Sequence, residues 1–383
     1  MSAVLDHDIH AGVLDNTQGD TARRLFVLLA PTRNVADWEE RYRGGLIPDW
    51  SPYGYGHAQE RGYSLVYSQT WSDSLVTRAI DAAARVVLGF KVAHIVRNWK
   101  AACDPSIDAI WTHTEREFLP LLFISLLARR RLPPVIAQSV WLIDEWERMW
   151  RVHRALARML MRRAALCTFL SPNNERLAAQ LGIGDRRRVV AFGVSFDSFP
   201  ITEPAPRATQ DKIRVFALGN DRHRDWQTFA GAFCNDPKYE VFAATSNFPL
   251  SSSGPNWTAR QCSHAEVIGR YRWADVVIVP LSRNQHASGI TSILEATLLG
   301  KPVVASDTGG INWYLSGDEI ALCPVGDVDR LVGAVEAIAR NPELTLQKVR
   351  AAQATIARKD LSSRGFAFRH VEMTEELLRL ASR

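Results

Sequence analysis

Short apolar runs alternate with helix-length amphipathic stretches along the 383 residues of this chain. In the first half the runs are Leu25–Ala30, Ser64–Tyr67, Ala109–Trp111, Val135–Gln138, Leu166–Leu170 and Val189–Phe192. In the second half they are Ile213–Leu218, Glu240–Ala244, Val276–Pro280, Pro302–Ala305 and Ile320–Cys323. Most are near-continuous in Val, Ile, Leu, Phe and Ala, which is how a strand reads when a parallel sheet buries both its faces. Strand–helix–strand repetition of this kind winds into right-handed βαβ units. Two such series predict an α/β chain of two Rossmann-like, doubly wound parallel-sheet domains.

The break between the series is Phe199–Gln210, which holds three prolines and no hydrophobic period and reads as a linker. The expected division is a flexible leader at 1–20, a first domain at 21–200, a second at 201–362, and a C-terminal helix at 363–383 with the option of folding back on the first domain. Some helix starts are legible. Ser171-Pro172 combines an N-cap with proline at the first helical position, as does Asn341-Pro342, and Asp327-Val-Asp329 reads as a cap.

Composition adds little to this picture and contradicts none of it. With 46% hydrophobic and 23% charged residues the chain is that of a globular enzyme large enough for two cores. Its five cysteines are scattered, odd in number and never spaced C-x-x-C, which fits a reducing cytoplasm. The polar, acidic N-terminus lacks the basic and apolar regions of a signal peptide, and no apolar run reaches membrane-spanning length. The net charge of +5 is uneven: Trp71–Ala165 holds 15 Lys or Arg against 9 Asp or Glu. That stretch is either a set of solvated helix faces or a surface for an anionic membrane. The expected location is cytoplasmic, at the inner face of the cell membrane if those helices meet lipid. Nucleic acid is not an expected partner, since charge alone is weak support for it.

The most informative segment follows the buried strand around Val276–Pro280. A polar loop, Ser282–Ala287, leads to Ser288-Gly289 and an amphipathic helix, Ile290–Leu299, stopped by Gly300; Lys301-Pro302 then opens the next strand, followed by Thr308-Gly309-Gly310. A loop-to-helix junction presents unpaired N–H groups and the positive end of the helix dipole, and Gly289 lets a phosphate approach the backbone. Glu295, two turns into the helix, suits a ribose, as acidic residues do in dinucleotide folds. An ordinary βαβ crossover would also account for Gly300 and Pro302.

In this order the residues Ser288, Gly289, Glu295, Ala296, Gly300, Lys301, Pro302 and Gly309-Gly310 resemble the donor-binding signature of glycosyltransferase family 4 and its GT-B relatives. The resemblance is specific over about 25 residues. It implies a GT-B fold facing a central cleft. It also implies a UDP- or GDP-sugar donor held by His286, Ser288, Gly289, Ile290, Thr291, Glu295, Gly309 and Gly310. Within Gly219–Trp226, Arg224 is the counterpart of the lysine in the family's Arg and Lys clamp on the diphosphate, while Asn220 stands where the arginine of that clamp sits and Arg222 is placed to compensate; Arg222 and Arg224 also fit surface pairs with Asp221 and Asp225. One departure stands out: the acid that the family places eight residues before Glu295 is Ala287 here, with His286 beside it.

The resemblance further implies that acceptor and base come from the first domain. Candidates lie where its strands end: His113 and Glu115 after Ala109–Trp111, and Asp144 after the Val135 strand, with Asp144 favoured. Asp144 and Glu145 also fit a helix N-terminal acid pair. Arg33 and the aromatic loop Pro48–Gly56 are candidates for acceptor contact. No cofactor and no metal are expected. The expected acceptor is a hydroxyl of a glycan, glycolipid or lipid-linked molecule. The alternatives are a sugar-nucleotide epimerase of the same fold and a non-catalytic nucleotide-sugar-binding protein.

Overall fold

The computed structural model describes residues 22–207, 212–250 and 253–382. The leader expected at 1–20 and the end of the proline-rich linker lie outside the described residues. Two six-stranded sheets, parallel throughout, carry the fold. The first is built from β1 (Arg24–Leu28), β2 (Ser64–Tyr67), β3 (Ala109–Thr112), β4 (Val135–Ser139), β5 (Leu166–Phe169) and β6 (Arg187–Val189). Its order is β2-β1-β3-β4-β5-β6. The second is built from β7 (Ile213–Leu218), β8 (Tyr239–Ala244), β9 (Trp257–Arg260), β10 (Val276–Val279), β11 (Val303–Ser306) and β12 (Ala321–Cys323). Its order is β12-β11-β10-β7-β8-β9.

The apolar runs are the strands because helices cover both faces. Every residue of β3, β4, β5, β10 and β11 is buried. Two edges differ from the pattern. β9 is a half-buried edge strand, Trp257–Arg260, too polar to stand out as a run. The sixth run, Val189–Phe192, overlaps its strand by one residue only: β6 is Arg187–Val189, and pairing on one side alone lets it carry two arginines. The helix starts behave unequally. Ser171 Oγ caps the helix Pro172–Gln180, and Asp327 caps Val328–Arg340. Asn341 makes no side-chain cap for Pro342–Arg358; its Nδ2 donates backward to Ala337 O.

The last helix, Ser363–Ala381, packs on the first sheet. Phe366 lies in one buried cluster with Leu25, Tyr55 and Trp111. Trp111 Nε1 donates to Thr374 Oγ1 at 2.8 Å, and Arg364 and Arg188 bridge to Glu60 and Glu376 at 2.7 Å. The chain therefore crosses twice between the sheets. The exposed ion pairs add little and the apolar contacts hold the helix. Phe366→Ala should cost about 3–5 kcal/mol through lost burial and the cavity left behind, read as a lowered midpoint in urea unfolding.

Candidate donor site and interdomain cleft

In an open α/β sheet, ligands bind beyond the carboxyl ends of the strands where the strand order reverses, because the loops there diverge. In the second sheet the reversal falls between β7 and β10. The two segments singled out in the sequence, Gly219–Asp225 and Leu281–Gly289, follow those two strands. They are tied together by Asp225 N to Pro280 O at 3.0 Å and Ser282 N to His223 O at 2.8 Å. In the first sheet the reversal falls between β1 and β3, so Arg33 and His113 stand at the matching crevice.

Gly289 caps the helix Ile290–Leu298 in the left-handed region, at φ 81°. A Cβ there would lie 2.5 Å from Val279 and 2.9 Å from Arg224 Nη1, so only glycine fits. Arg224 thus sits directly beneath the junction. Its Nε donates to Leu218 O at 2.8 Å and its Nη2 to Ser292 Oγ at 3.2 Å, while Nη1 is buried without a partner. Ser288 Oγ is also buried without a partner. Two unpaired donors at a helix N-terminus are costly unless an acceptor completes them, and an anion does so.

Glu295 is reached from the other side. Its Oε2 accepts from Tyr271 Oη at 2.8 Å, and burial pushes its carboxyl up to about 7 against the opposing pull of that hydrogen bond and of Arg224. Ile290 is buried in the apolar core and Thr291 is half-buried on the first helical turn. A Cβ on Gly310 would come 3.2 Å from the Ala287 Cβ, so the Gly-Gly turn closes on the donor loop. Ala287 itself has φ 56°, a strained conformation for an alanine. Beside it a groove of about 590 Å³ is lined by Asn173, Arg283, Gln285, Asp307 and Thr308 among others.

Across the cleft, Asp144 is engaged rather than free. Its Oδ1 accepts from Gln285 N at 2.6 Å, and its Oδ2 lies 2.5 Å from His286 Nδ1. Both side chains are almost completely buried. On the far side of the ring, His286 Nε2 lies 3.9 Å from Asp221 Oδ2. Burial opposes a charged imidazole, but the hydrogen bond to Asp144 and the negative charges of Asp144 and Asp221 prevail and push His286 up to about 9. Asp221 is held well below the usual carboxylate range: burial works against this, and the hydrogen bonds from His223 together with the positive charge of His286 outweigh it. Arg222 reaches across to Glu145 at 2.7 Å instead of to its neighbours Asp221 and Asp225. Asp225 caps the helix Trp226–Phe233. Ser171 and Asn173 donate to Gln285, and Tyr314 Oη donates to Leu170 O at 2.7 Å. The loop 282–287 is therefore gripped by two segments of the first domain, the one that carries Asp144 and the one at Ser171–Asn173.

The other first-domain candidates have structural partners too. Glu115 accepts from Val140 N at 3.1 Å and Trp141 N at 3.2 Å, fixing the loop that carries Asp144, and burial raises its pKa. His113 is buried, stacked on Tyr53 at 3.4 Å between ring centroids, with its Nδ1 3.0 Å from Tyr55 Oη. Burial, then the charges of His370 and Arg33, hold it well below the ordinary imidazole value, so it is neutral. The aromatic loop is a packed element rather than an open stacking platform: Tyr55 is fully buried, and Tyr53 adopts φ 56° to lay its ring on His113. No signal in the sequence paired Asp144 with His286, since the 142 positions between them are closed only by the fold.

Among the described residues, Asp221, His223 and His286 form a cluster whose ligand atoms lie within 4.8 Å of one another, a spacing that a divalent ion would accept. A charged His286, hydrogen-bonded to Asp144 and facing Asp221 at 3.9 Å, already balances the two carboxylates.

Residues 250–341 match the family described as glycosyl transferases group 1. Over those 92 of its 383 residues the chain is similar to group 1 glycosyl transferases. No curated protein matches the chain. Solved structures share its fold over nearly the whole length. Sucrose-phosphate synthase from Thermosynechococcus elongatus is 14% identical with a TM-score of 0.70, over 94% of this chain and 100% of that one. The alpha,alpha-trehalose 6-phosphate synthase from Burkholderia multivorans is 12% identical with a TM-score of 0.66, over 94% and 100%. Anabaena HepE, solved in complex with UDP-glucose, is 15% identical with a TM-score of 0.62, over 92% and 99%. The fold is GT-B, as the donor signature implied.

The cross-cleft contact gives a pH dependence. His286 has its pKa raised from 6.5 to about 9, so its stabilising contribution is complete below about 6.5 and lost as pH rises through about 9. Thermal unfolding followed from about pH 6 to about pH 10 should show this alkaline loss in the native protein and a flatter profile in His286→Gln.

Proposed function

We propose that the protein moves a sugar from a nucleotide-diphosphate donor, a UDP- or GDP-sugar, to a hydroxyl of a glycan, glycolipid or lipid-linked acceptor. The observation that carries this reading is the pair of buried, partnerless donors, Arg224 Nη1 and Ser288 Oγ, beneath the Gly289 junction at the β7/β10 reversal. A diphosphate there would complete both, and their charge and hydrogen bonds would stabilise the leaving group as the glycosidic bond breaks. Glu295 binds the ribose from the helix, with Tyr271 fixing its carboxylate. Arg222, Thr291, Gly309 and Gly310 complete the donor wall. The fold shared with HepE, whose structure holds UDP-glucose, supports a uridine donor.

The reading assigns Asp144 a positioning role. It holds His286, and the charged imidazole faces the donor side in place of the acid that related enzymes have next to it. Glu115 holds the same loop. His113, neutral and stacked at the first-domain crevice, is the group that meets the acceptor hydroxyl. The reaction uses no metal, because Arg224 and His286 supply the positive charge. The protein works in the cytoplasm at the inner face of the membrane, where lipid-linked acceptors are found.

Glu295→Ala should weaken UDP or GDP binding roughly 10- to 100-fold by titration calorimetry, the loss of one charge-assisted hydrogen-bond set, without lowering the unfolding midpoint by a comparable factor. Unchanged affinity would remove the assignment of the site. Donor turnover should be insensitive to EDTA, and stimulation by added Mg²⁺ or Mn²⁺ after chelation would reverse the metal-free reading.

A further inference from the structure

The helix Leu75–Leu88 in the first domain is inside out. It buries Thr77 and Asp81 and leaves its apolar side in solvent. Leu75 is 80% exposed, Val76 68%, Ile80 52% and Val87 68%. Val76, Ile80, Ala83 and Val87 form one stripe at helical spacing, and Leu75, Ala79, Ala82 and Val86 form the next; all eight are exposed. The polar side is what attaches the helix to the protein. Asp81 Oδ1 accepts from Val92 N and Ala93 N at 2.9 Å, and Thr77 Oγ1 accepts from Arg97 at 2.9 Å. A solvent-facing helix normally has the opposite arrangement, so the apolar side is built for a partner.

The stripe continues onto a second element. His153 Nε2 lies 3.1 Å from Val87 O and stacks on Trp150, which is exposed, as is Val152 on the same turn. Exposed Arg78, Arg85, Lys91, Arg148 and Arg151 surround the apolar strip. The nearby exposed acids, Asp73 and Glu147, are engaged by Arg97 and Arg154. No described helix is long and apolar enough to cross a membrane. An apolar strip with tryptophan and a basic rim matches an anionic bilayer, whose headgroups meet the arginines while the aliphatic side chains enter the acyl boundary.

We infer that this protein docks on anionic lipid through the exposed side of helix Leu75–Leu88 together with Trp150 and Val152. The inference takes only the membrane-side location from the proposed function and gives it a surface. Trp150 lies six positions after Asp144, so the docked face leads along the chain to the cleft.

The test is flotation of the full chain, without donor or acceptor, on vesicles of phosphatidylcholine alone and of phosphatidylcholine with phosphatidylglycerol. Binding is expected on the anionic vesicles only and should weaken with salt. The double variants Ile80→Asp with Val87→Asp, and Arg78→Glu with Arg85→Glu, should each lower the bound fraction roughly tenfold while leaving nucleotide affinity unchanged. Absence of wild-type flotation, or flotation unaffected by both doubles, overturns the inference. So does a dimer in light scattering that Ile80→Asp with Val87→Asp dissociates without any vesicle binding, which would make the occupant a second copy. Nucleotide affinity is read separately, so failure here leaves the donor site standing, and loss of the donor site leaves flotation intact.

Discussion

A buried carboxylate and a buried imidazolium face each other across the cleft, and the geometry of the site depends on that pair. Asp144 belongs to the short helix after β4, His286 to the loop after β10, and both are almost completely shielded from the solvent that would screen them. Two charges removed from water are tolerated only when each is fully matched. Asp144 is matched by His286 and by the Gln285 amide; His286 is matched by Asp144 on one ring nitrogen and faces Asp221 on the other. The arrangement fixes the position of one domain's donor loop by a residue of the other. Removing either partner leaves the other charged and buried, a cost of about 3–5 kcal/mol that the shallow contacts nearby would not offset.

The same pair explains how the donor loop copes with its own departures. Ala287 stands where related enzymes place an acid, and it takes a left-handed conformation that alanine seldom adopts. The neighbouring contacts over-determine that conformation: His286 is clasped by Asp144, Ser288 N donates to Asn284 Oδ1 at 3.0 Å, and Gly310 closes against the Ala287 methyl. Where the family signature has an acid, this chain brings a histidine with a raised pKa. The electrostatic sign at that point is inverted relative to the signature.

Most of the catalytic candidates of the first domain are held by structural tasks. Glu115 pins the loop that presents Asp144, and Tyr53 and Tyr55 clamp His113 in a neutral state. The packing of helix Ser363–Ala381 against the same region extends the constraint. Trp111, at the end of β3, donates to Thr374 from that helix, and His370 contacts both Trp111 and Tyr55. The crevice at the first-domain reversal is therefore shaped by the last residues of the chain.

The sequence by itself determined the two parallel sheets, because strands buried on both faces must be continuously apolar, and ten of the twelve coincide with apolar runs. It also made the Ser288-Gly289 junction legible as the start of a helix, because the spacing of strand, loop, glycine and amphipathic helix is local; that Arg224 lies beneath the glycine was decided by the fold. β9 and the position of β6 escaped, since an edge strand is paired on one side and its residues are free to be polar. Only the tertiary structure decided what the charges do. Arg222 finds Glu145, Asp144 finds His286, and the polar side of helix Leu75–Leu88 turns inward, all through contacts between segments far apart in the chain. A charged side chain has a long reach and no periodicity, so its partner is set by which loops the fold brings together, and that information is not written in its neighbours.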